Sequence, residues 1–486
     1  MSDRRRPRPA ESAVATSVAA VARQTVGRTA ALLLAVAGPA VAAAPDGDVV
    51  ASYAERAPAL LRAYVAVDTV NPPGNETAGA RFLADFLAAE GIESTVLESE
   101  PGRGNVVARL EGTGDGGAVV LLSHINVVPA DPDAWSHPPF EAMTDADGRL
   151  FGRGVLDCKG PGIVQALAFA ALAAAERPPA RDVILLATAG EETGGAPGAK
   201  WLLEEHREIL DGAEIVLNEG GFIHRRPGQP LLFHLSAAEK GPCWFRVVAD
   251  GEPGHGSRPA DETAVTRLVG ALDALLSWDR GIEVVPAVDR YFAAFAETGH
   301  PRGEELRDLE RSFENEEFRA WFLGEPSWAA LVRDTLAPTV LDGSIKTNVV
   351  PARAVAEIDS RLLPGHDCGE FLDAARARIG DEHVRIEPLG LSFPASASEV
   401  SGELARAVER LAAEEPEPAV VLPNMLTGFT DSHYFREHGM AAYGMVPLVV
   451  SPEQRKTLHA PNENVDEVEL APAVARLVRL IRLLDE

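Results

Sequence analysis

The sequence predicts an α/β protein: a layered, mostly parallel sheet interrupted by an inserted α+β block. Three observations lead there. Between about residues 50 and 220, apolar strand-like runs alternate with helical stretches across short loops. From about 240 the rhythm changes to polar-alternating strands and charge-rich helices, and after about 393 the first pattern returns. Gly at 43 and Pro at 36 among 486 residues provide the turns of a protein whose chemistry sits on loops.

Apolar residues at helical spacing predict a helix over 52–68, stopped by Asn71-Pro72-Pro73-Gly74. A second helix is expected over 77–90, ending at Gly91. Residues 105–110 and 118–122 read as strands across a glycine-rich turn. A long apolar helix over 160–175 precedes a strand at 183–188, and a helix over 199–209 precedes one at 214–217. The inserted block is expected over 239–392, between a first catalytic part (45–238) and a second (393–486). Within it fall a strand at 244–250, a helix at 260–278 and a mostly helical, aromatic-rich insert near 284–340. A strand at 352–361, a helix at 368–379 and a strand at 384–389 complete it. The returning segment carries helices over 400–413, 431–438 and 468–484 and strands at 419–421 and 442–445.

Hydrophobic residues at 46% and charged residues at 24% suffice for a large core and exclude wholesale disorder. Lys plus Arg is 45 and Asp plus Glu is 73, a net charge of -28. With no basic region beyond the first residues, a nucleic-acid partner is not expected. Neither a G-x-G-x-x-G opening a helix nor a G-x-x-x-x-G-K-[ST] loop occurs. Arg4, Arg5, Arg6 and Arg8 precede an apolar run over 30–44 that ends in small residues before Pro45. Residues 1–44 therefore read as an export signal to a periplasm or the cell exterior, the alternative being an Ala-rich tail. Gly38 and Pro39 break that run, which falls short of the roughly 20 residues a membrane span needs, and no later segment offers one. Cys158, Cys243 and Cys368 form no C-x-x-C pair and no zinc knuckle. Buried thiols are the preferred reading, and the spacing leaves one disulfide open.

Candidate chemistry follows strand after strand. After 118–122 comes Ser123-His124-Ile125-Asn126. After Gly152-Arg153-Gly154 comes Asp157. After 183–188 come Glu191 and Glu192, after 214–217 come Asn218 and Glu219, and near the end stands His459. Imidazoles and carboxylates at strand ends beside small residues are what a zinc or cobalt site needs, since nitrogen and oxygen donors suit such ions and glycines let loops converge.

The ordered motifs S-H-I-N-V-V-P, G-R-G-V-L-D-C-K-G, E-E-T-G-G and H-A-P-N-E resemble the dizinc metallopeptidase family of aminoacylases, glutamate-releasing carboxypeptidases and succinyl-diaminopimelate desuccinylase. The branch with carboxypeptidase S and the secreted N-acyl amino acid hydrolases is the most similar, over about residues 50–486. The resemblance implies a zinc-peptidase-type catalytic domain, a lid of the dimerisation type, and two divalent ions, zinc or cobalt. It implies that Asp157 bridges the ions, that His124 binds one, and that Glu192 and His459 bind the other. Glu191 would be the general base, taking a proton from water and handing it to the leaving nitrogen. His255 on the lid would polarise the scissile carbonyl and can come from the partner in dimeric relatives. Asn348 and Arg361 would bind substrate, Arg361 through its planar fork, with a strand salt bridge as the alternative. Asp431 and His433 match a substrate loop.

The sequence departs from the family at three places. Asn126 stands where Asp usually orients the metal-bound imidazole. Asn218 stands where an acidic ligand is usual, with Glu219 next door. His433 stands where Arg is common. If neither 218 nor 219 supplies a carboxylate, Asp157, Glu192 and a hydroxide leave two divalent ions short of neutrality, so the His124-side ion is expected to be held more weakly. The resemblance implies hydrolysis of an amide beside a free α-carboxylate, first as a carboxypeptidase or dipeptidase. N-acyl amino acid hydrolysis by the same chemistry, or a weakly active or inactive metal-binding relative, are the alternatives. The partners expected are a small peptide or N-acyl amino acid and, through the lid, a second copy of the chain.

Overall fold

The computed structural model describes residues 46–486, so the expected export signal lies outside the described residues. A nine-stranded sheet forms the body. Its order runs Thr95–Glu98, Gly104–Leu110, Val183–Thr188, Ala118–His124, Ala213–His224, Ala441–Val450, Leu231–Glu239 and Ser396–Ala397, with Ala419–Leu426 pairing beside Leu231–Glu239. The centre is parallel: Ala118–His124 pairs in parallel with both Val183–Thr188 and Ala213–His224, and Ala213–His224 with Ala441–Val450. Antiparallel pairs lie toward the edges.

The central strands read AVVLLSH and VILLAT and are buried along their whole length, as a sheet covered on both faces requires. Alternation sends Val119 and Leu121 to one core with the helices Lys159–Ala174 and Leu470–Leu484, while Val120 and Leu122 join Leu202, Leu203 and Phe435 on the other face. Among the described residues no helix is long and apolar enough to cross a membrane.

The inserted block forms a separate four-stranded antiparallel sheet, ordered Thr335–Asp342, Arg353–Leu362, Gly241–Asp250 and Val384–Ser392. The helices Ala264–Leu276 and Cys368–Ile379 cover one face and enclose their own core around Phe245, Val247, Leu268, Ile358 and Phe371. We call this unit the lid.

Several expectations need correction. Thr335–Asp342, placed in the helical insert, is a strand of the lid sheet. The helices before it pack on the body instead: Phe292, Phe318 and Phe322 are fully buried with the main core, where they meet one another, Phe313 and Trp328 in tilted and edge-on contacts. The expected helix 52–68 is two, Asp46–Ala54 and Ala57–Val65, the second opened by Pro58. Leu231–Glu239 was not expected as a strand at all. Ala213–His224 runs well past 217. At Gly221 an added Cβ would meet the carbonyl oxygens of His234 and Gly444 at 2.3 and 2.4 Å, so only glycine lets three strands meet there. Finally, Cys243 and Cys368 form a disulfide, with Cα atoms 5.6 Å apart and 125 residues between them, and Cys158 is the buried free thiol. The bond joins a lid strand to the first turn of a lid helix, a proximity that only the tertiary fold creates.

Candidate metal centre

The strands Ala118–His124 and Val183–Thr188 end in register, His124 opposite Thr188, which places the two loops that follow them side by side. His124 is 2% exposed. Its Nδ1 donates to the Asn126 carbonyl oxygen at 2.9 Å. That bond fixes the ring so that Nε2 faces Asp157 Oδ1 at 2.8 Å and Glu219 Oε1 at 3.4 Å. On the other side His459 Nε2 lies 2.9 Å from Asp157 Oδ2 and 3.0 Å from Glu192 Oε1. Two imidazole nitrogens thus meet the two oxygens of one carboxylate, and each has a further carboxylate beside it.

These groups pull on one another's protons. The Asp157 and Glu192 hydrogen bonds push the His459 imidazole up to about 10. Burial alone would lower His124, but the Glu219 charge and the Asp157 hydrogen bond raise it. Burial alone would raise Asp157, yet the bonds from His124 and His459 hold its carboxyl well below the usual range. Burial, then the Asp157 charge, pushes Glu219 up to about 7. A set of two imidazoles and three carboxylates that shares protons this way fits two divalent cations, which would replace those protons among nitrogen and oxygen donors.

Glu191 and Glu192 open a short 3-10 turn, Glu191–Thr193, bounded by Gly190 and Gly194 at φ 76° and 94°. Glu192 meets His459, while the Glu191 carboxylate makes no hydrogen bond to protein among the described residues. Burial, then the Glu219 charge, raises the Glu191 carboxyl well above the usual range.

The residue that ties both halves together received no role from sequence, although it closes the H-A-P-N-E motif. Glu463 is fully buried. Its Oε1 accepts from the backbone N–H groups of Leu156 and Asp157 at 2.8 and 3.1 Å, and its Oε2 from Arg153 Nη1 and Gly154 N at 2.8 and 3.0 Å. Arg153 Nη2 reaches back to the His459 carbonyl oxygen at 3.4 Å. His459 itself holds φ 58°, a left-handed conformation that costs free energy in a non-glycine residue. The signal available in the sequence was an acidic residue closing H-A-P-N-E and an arginine between the glycines of G-R-G.

The remaining expectations divide. Glu219, not Asn218, faces the centre: Asn218 is buried and its Nδ2 donates to Thr430 Oγ1 and Ser432 Oγ at 3.1 and 3.0 Å. Neighbouring strand residues point to opposite faces, so the two cannot share the task. The charge argument for a weaker His124-side ion therefore loses its ground, because Glu219 supplies the missing carboxylate. Asn126 orients His124 through its backbone oxygen, while its side-chain Oδ1 accepts from Glu191 N at 3.1 Å. His255 and Asn348 are exposed on the lid, where Gly256 N donates to the Asn348 oxygen at 2.9 Å, and among the described residues neither touches the metal-centre side chains. Arg361 gives Nε and Nη2 to Asp359 at 2.6 and 3.1 Å and lies over the Trp244 and Phe429 rings, the strand salt bridge named as its alternative. Asp431 is buried, accepts from Thr188 Oγ1 at 2.8 Å, and is pushed up to about 6 by burial. His433 is buried against Phe393, ring centroids 3.6 Å apart, and burial pushes it down to about 4. It carries no charge at neutral pH, so it does not stand in for the arginine that the resemblance leads one to expect there.

Residues 120–483 match the model of peptidase family M20/M25/M40. The chain belongs to this family. It is 30% identical over 391 residues to the N-fatty-acyl-amino acid synthase/hydrolase PM20D1 of Xenopus tropicalis, covering 75% of this chain and 72% of that protein. It is 26% identical to human aminoacylase-1, covering 87% and 93%. Among solved structures, the M20 metallo-carboxypeptidase Sso-CP2 of Sulfolobus solfataricus superposes with a TM-score of 0.67 at 19% identity, covering 87% of this chain and 98% of that one. As an M20 protein the chain is a metal-dependent amide hydrolase of α/β fold.

Proposed function

We propose that this M20 hydrolase cleaves the amide bond of N-acyl amino acids, on the acyl side of the residue that carries the free α-carboxylate. The meeting of His124 and His459 with the two oxygens of Asp157, Glu219 beside the first imidazole and Glu192 beside the second, carries this reading. Two divalent ions, zinc or cobalt by their nitrogen and oxygen donors, would be held by His124, Asp157 and Glu219 and by Asp157, Glu192 and His459, and when bound they supply Lewis acidity to the amide carbonyl and acidity to water. Glu191 takes the proton of the attacking water and delivers it to the leaving nitrogen, a transfer its unpartnered carboxylate is free to make.

The sequence favoured peptides first. The order reverses here because an N-fatty-acyl-amino acid synthase/hydrolase and an aminoacylase are among the relatives similar in sequence, at 30% and 26% identity. Peptide hydrolysis is the second reading, favoured by structural likeness to the dipeptidase Dug1p of Saccharomyces cerevisiae, TM-score 0.65 at 14% identity.

His255 and Asn348 then act from a second copy of the chain. The lid exposes Val265, Val269 and Leu276 along one helix face and Val340 and Leu341 on its edge strand, which pairs on one side only. An apolar helix face beside an open sheet edge suits an isologous contact between two lids. Export over 1–44 agrees with the Cys243–Cys368 disulfide, since such bonds persist in oxidising compartments.

The test is a panel of N-acyl amino acids and dipeptides assayed with metal analysis on the same sample. Glu191→Ala is expected to keep both ions and to lose turnover by at least about a hundredfold. Unchanged turnover in that variant would remove the mechanism.

A further inference from the structure

We infer that Asn126 and Asn105 form a clamp that positions Glu191, Asn126 being the decisive positioning residue; this rests on the proposed role of Glu191. In the sheet, Val183–Thr188 lies between Gly104–Leu110 and Ala118–His124. An asparagine stands at the end of each flanking strand nearest the loop that leaves the middle one. Asn105 Oδ1 accepts from Ala189 N at 2.8 Å, and Asn126 Oδ1 accepts from Glu191 N at 3.1 Å. The two held amides flank Gly190, whose φ of 76° is a conformation glycine adopts without strain. Fixing the residue on each side of that glycine fixes the direction in which Glu191 leaves the strand.

Both asparagines are buried, at 1% and 0% exposure. Asn105 Nδ2 donates to the Leu97 and Pro197 oxygens at 3.3 and 3.2 Å, so its amide cannot reverse. Asn126 Nδ2 has no partner among the described residues, yet reversing that amide would set N–H against the Glu191 N–H. Leaving a buried donor unpaired is costly, and the side chain accepts that cost to present its oxygen to Glu191. His124 gains nothing from this oxygen, because its ring is already held by the Asn126 backbone. The amide thus serves the base and not the metal ligand, a task that needs an acceptor oxygen and no charge.

The experiment compares N126A and N126D with the wild-type holoprotein in kinetics, metal content and hydrogen exchange. N126A is expected to lower kcat about tenfold or more, with KM within about twofold and both ions retained. N126D, whose carboxylate oxygen accepts the same N–H, is expected to stay within about threefold of wild type. Backbone amides of residues 188–195 are expected to exchange faster in N126A and not in N126D. That arm reads the clamp even if wild type turns over nothing on the panel, so failure of the proposed function and failure of the clamp are told apart. Unchanged kcat and exchange in N126A would overturn the inference. So would a kcat loss that follows loss of one ion and recovers with added zinc, since Asn126 would then serve His124. If N126A does not fold, N126D decides: wild-type-like kcat and exchange support the clamp, and a loss beyond about tenfold with metal retained overturns it.

Discussion

The body and the lid carry their functional residues in opposite ways. In the body, His124, Asp157, Glu192, Glu219 and His459 touch one another, and Glu463 ties their loops from a fully buried position. In the lid, the His255 side chain bonds, among the described residues, only to Ser257 two residues away and stands in solvent. The contrast teaches that the body gathers its nitrogen and oxygen donors by itself, while His255 and Asn348 of the lid stand apart from them; under the proposed function the lid groups act only when brought to a centre. Perturbing the body should therefore unmake the centre, and perturbing the lid should leave the centre intact.

The sharpest break is Glu463→Ala. It removes four hydrogen-bond acceptances and strands the Arg153 guanidinium, which is 2% exposed. Breaking a buried pair from one side costs about 3–5 kcal/mol. Thermal unfolding should fall accordingly, and metal retention through dialysis should fail at both sites. Full metal content in a folded E463A protein would show that the loops bearing Asp157 and His459 hold themselves.

Removing the lid disulfide sharpens the contrast from the other side. Cys243 and Cys368 belong to the lid core and lie outside the body cores. The double variant C243A/C368A should destabilise by about 2–5 kcal/mol, read by calorimetry as an earlier lid transition. Both ions should remain bound below that transition. Metal loss in step with lid melting would make the two units one.

What could be read from sequence follows the same division. The runs AVVLLSH and VILLAT announced central strands because burial on both faces leaves no alternation to misread. Asp157 and Glu192 sat in glycine-bearing motifs and His124 and His459 in the ordered runs S-H-I-N-V-V-P and H-A-P-N-E, so local pattern was enough to bring them forward. Glu219 could not be separated from Asn218, because one residue of register decides which faces inward, and that register is set by the close approach of three strands at Gly221. The Asn126 side chain was assigned to His124 because sequence does not tell a backbone carbonyl from an amide two bonds further out. The disulfide and the packing of Phe292 and Phe322 against the body depend on residues that meet only after the chain has folded over long separations.

The gentlest perturbation tests the lid alone. His255 is exposed, and its Nδ1 lies 2.8 Å from Ser257 Oγ and 3.1 Å from Ser257 N, both local contacts within one turn. Exposed positions of this kind usually move stability by less than about 0.5 kcal/mol, so His255→Ala should unfold with wild-type protein and keep both ions. Turnover should nevertheless fall, by about a hundredfold if the imidazole meets the developing oxyanion. The discriminating measurement mixes H255A with E191A. Each variant is inactive for a different reason, and a dimer formed by two lids can pair an intact His255 from one copy with an intact Glu191 from the other. Mixed samples should recover up to about a quarter of wild-type activity by random pairing, provided subunits exchange through the apolar lid face. No recovery from subunits shown to have exchanged would place His255 in the same chain as the centre it serves. The lid would then have to reach its own body by closing, and the exposed apolar face would have no part in catalysis.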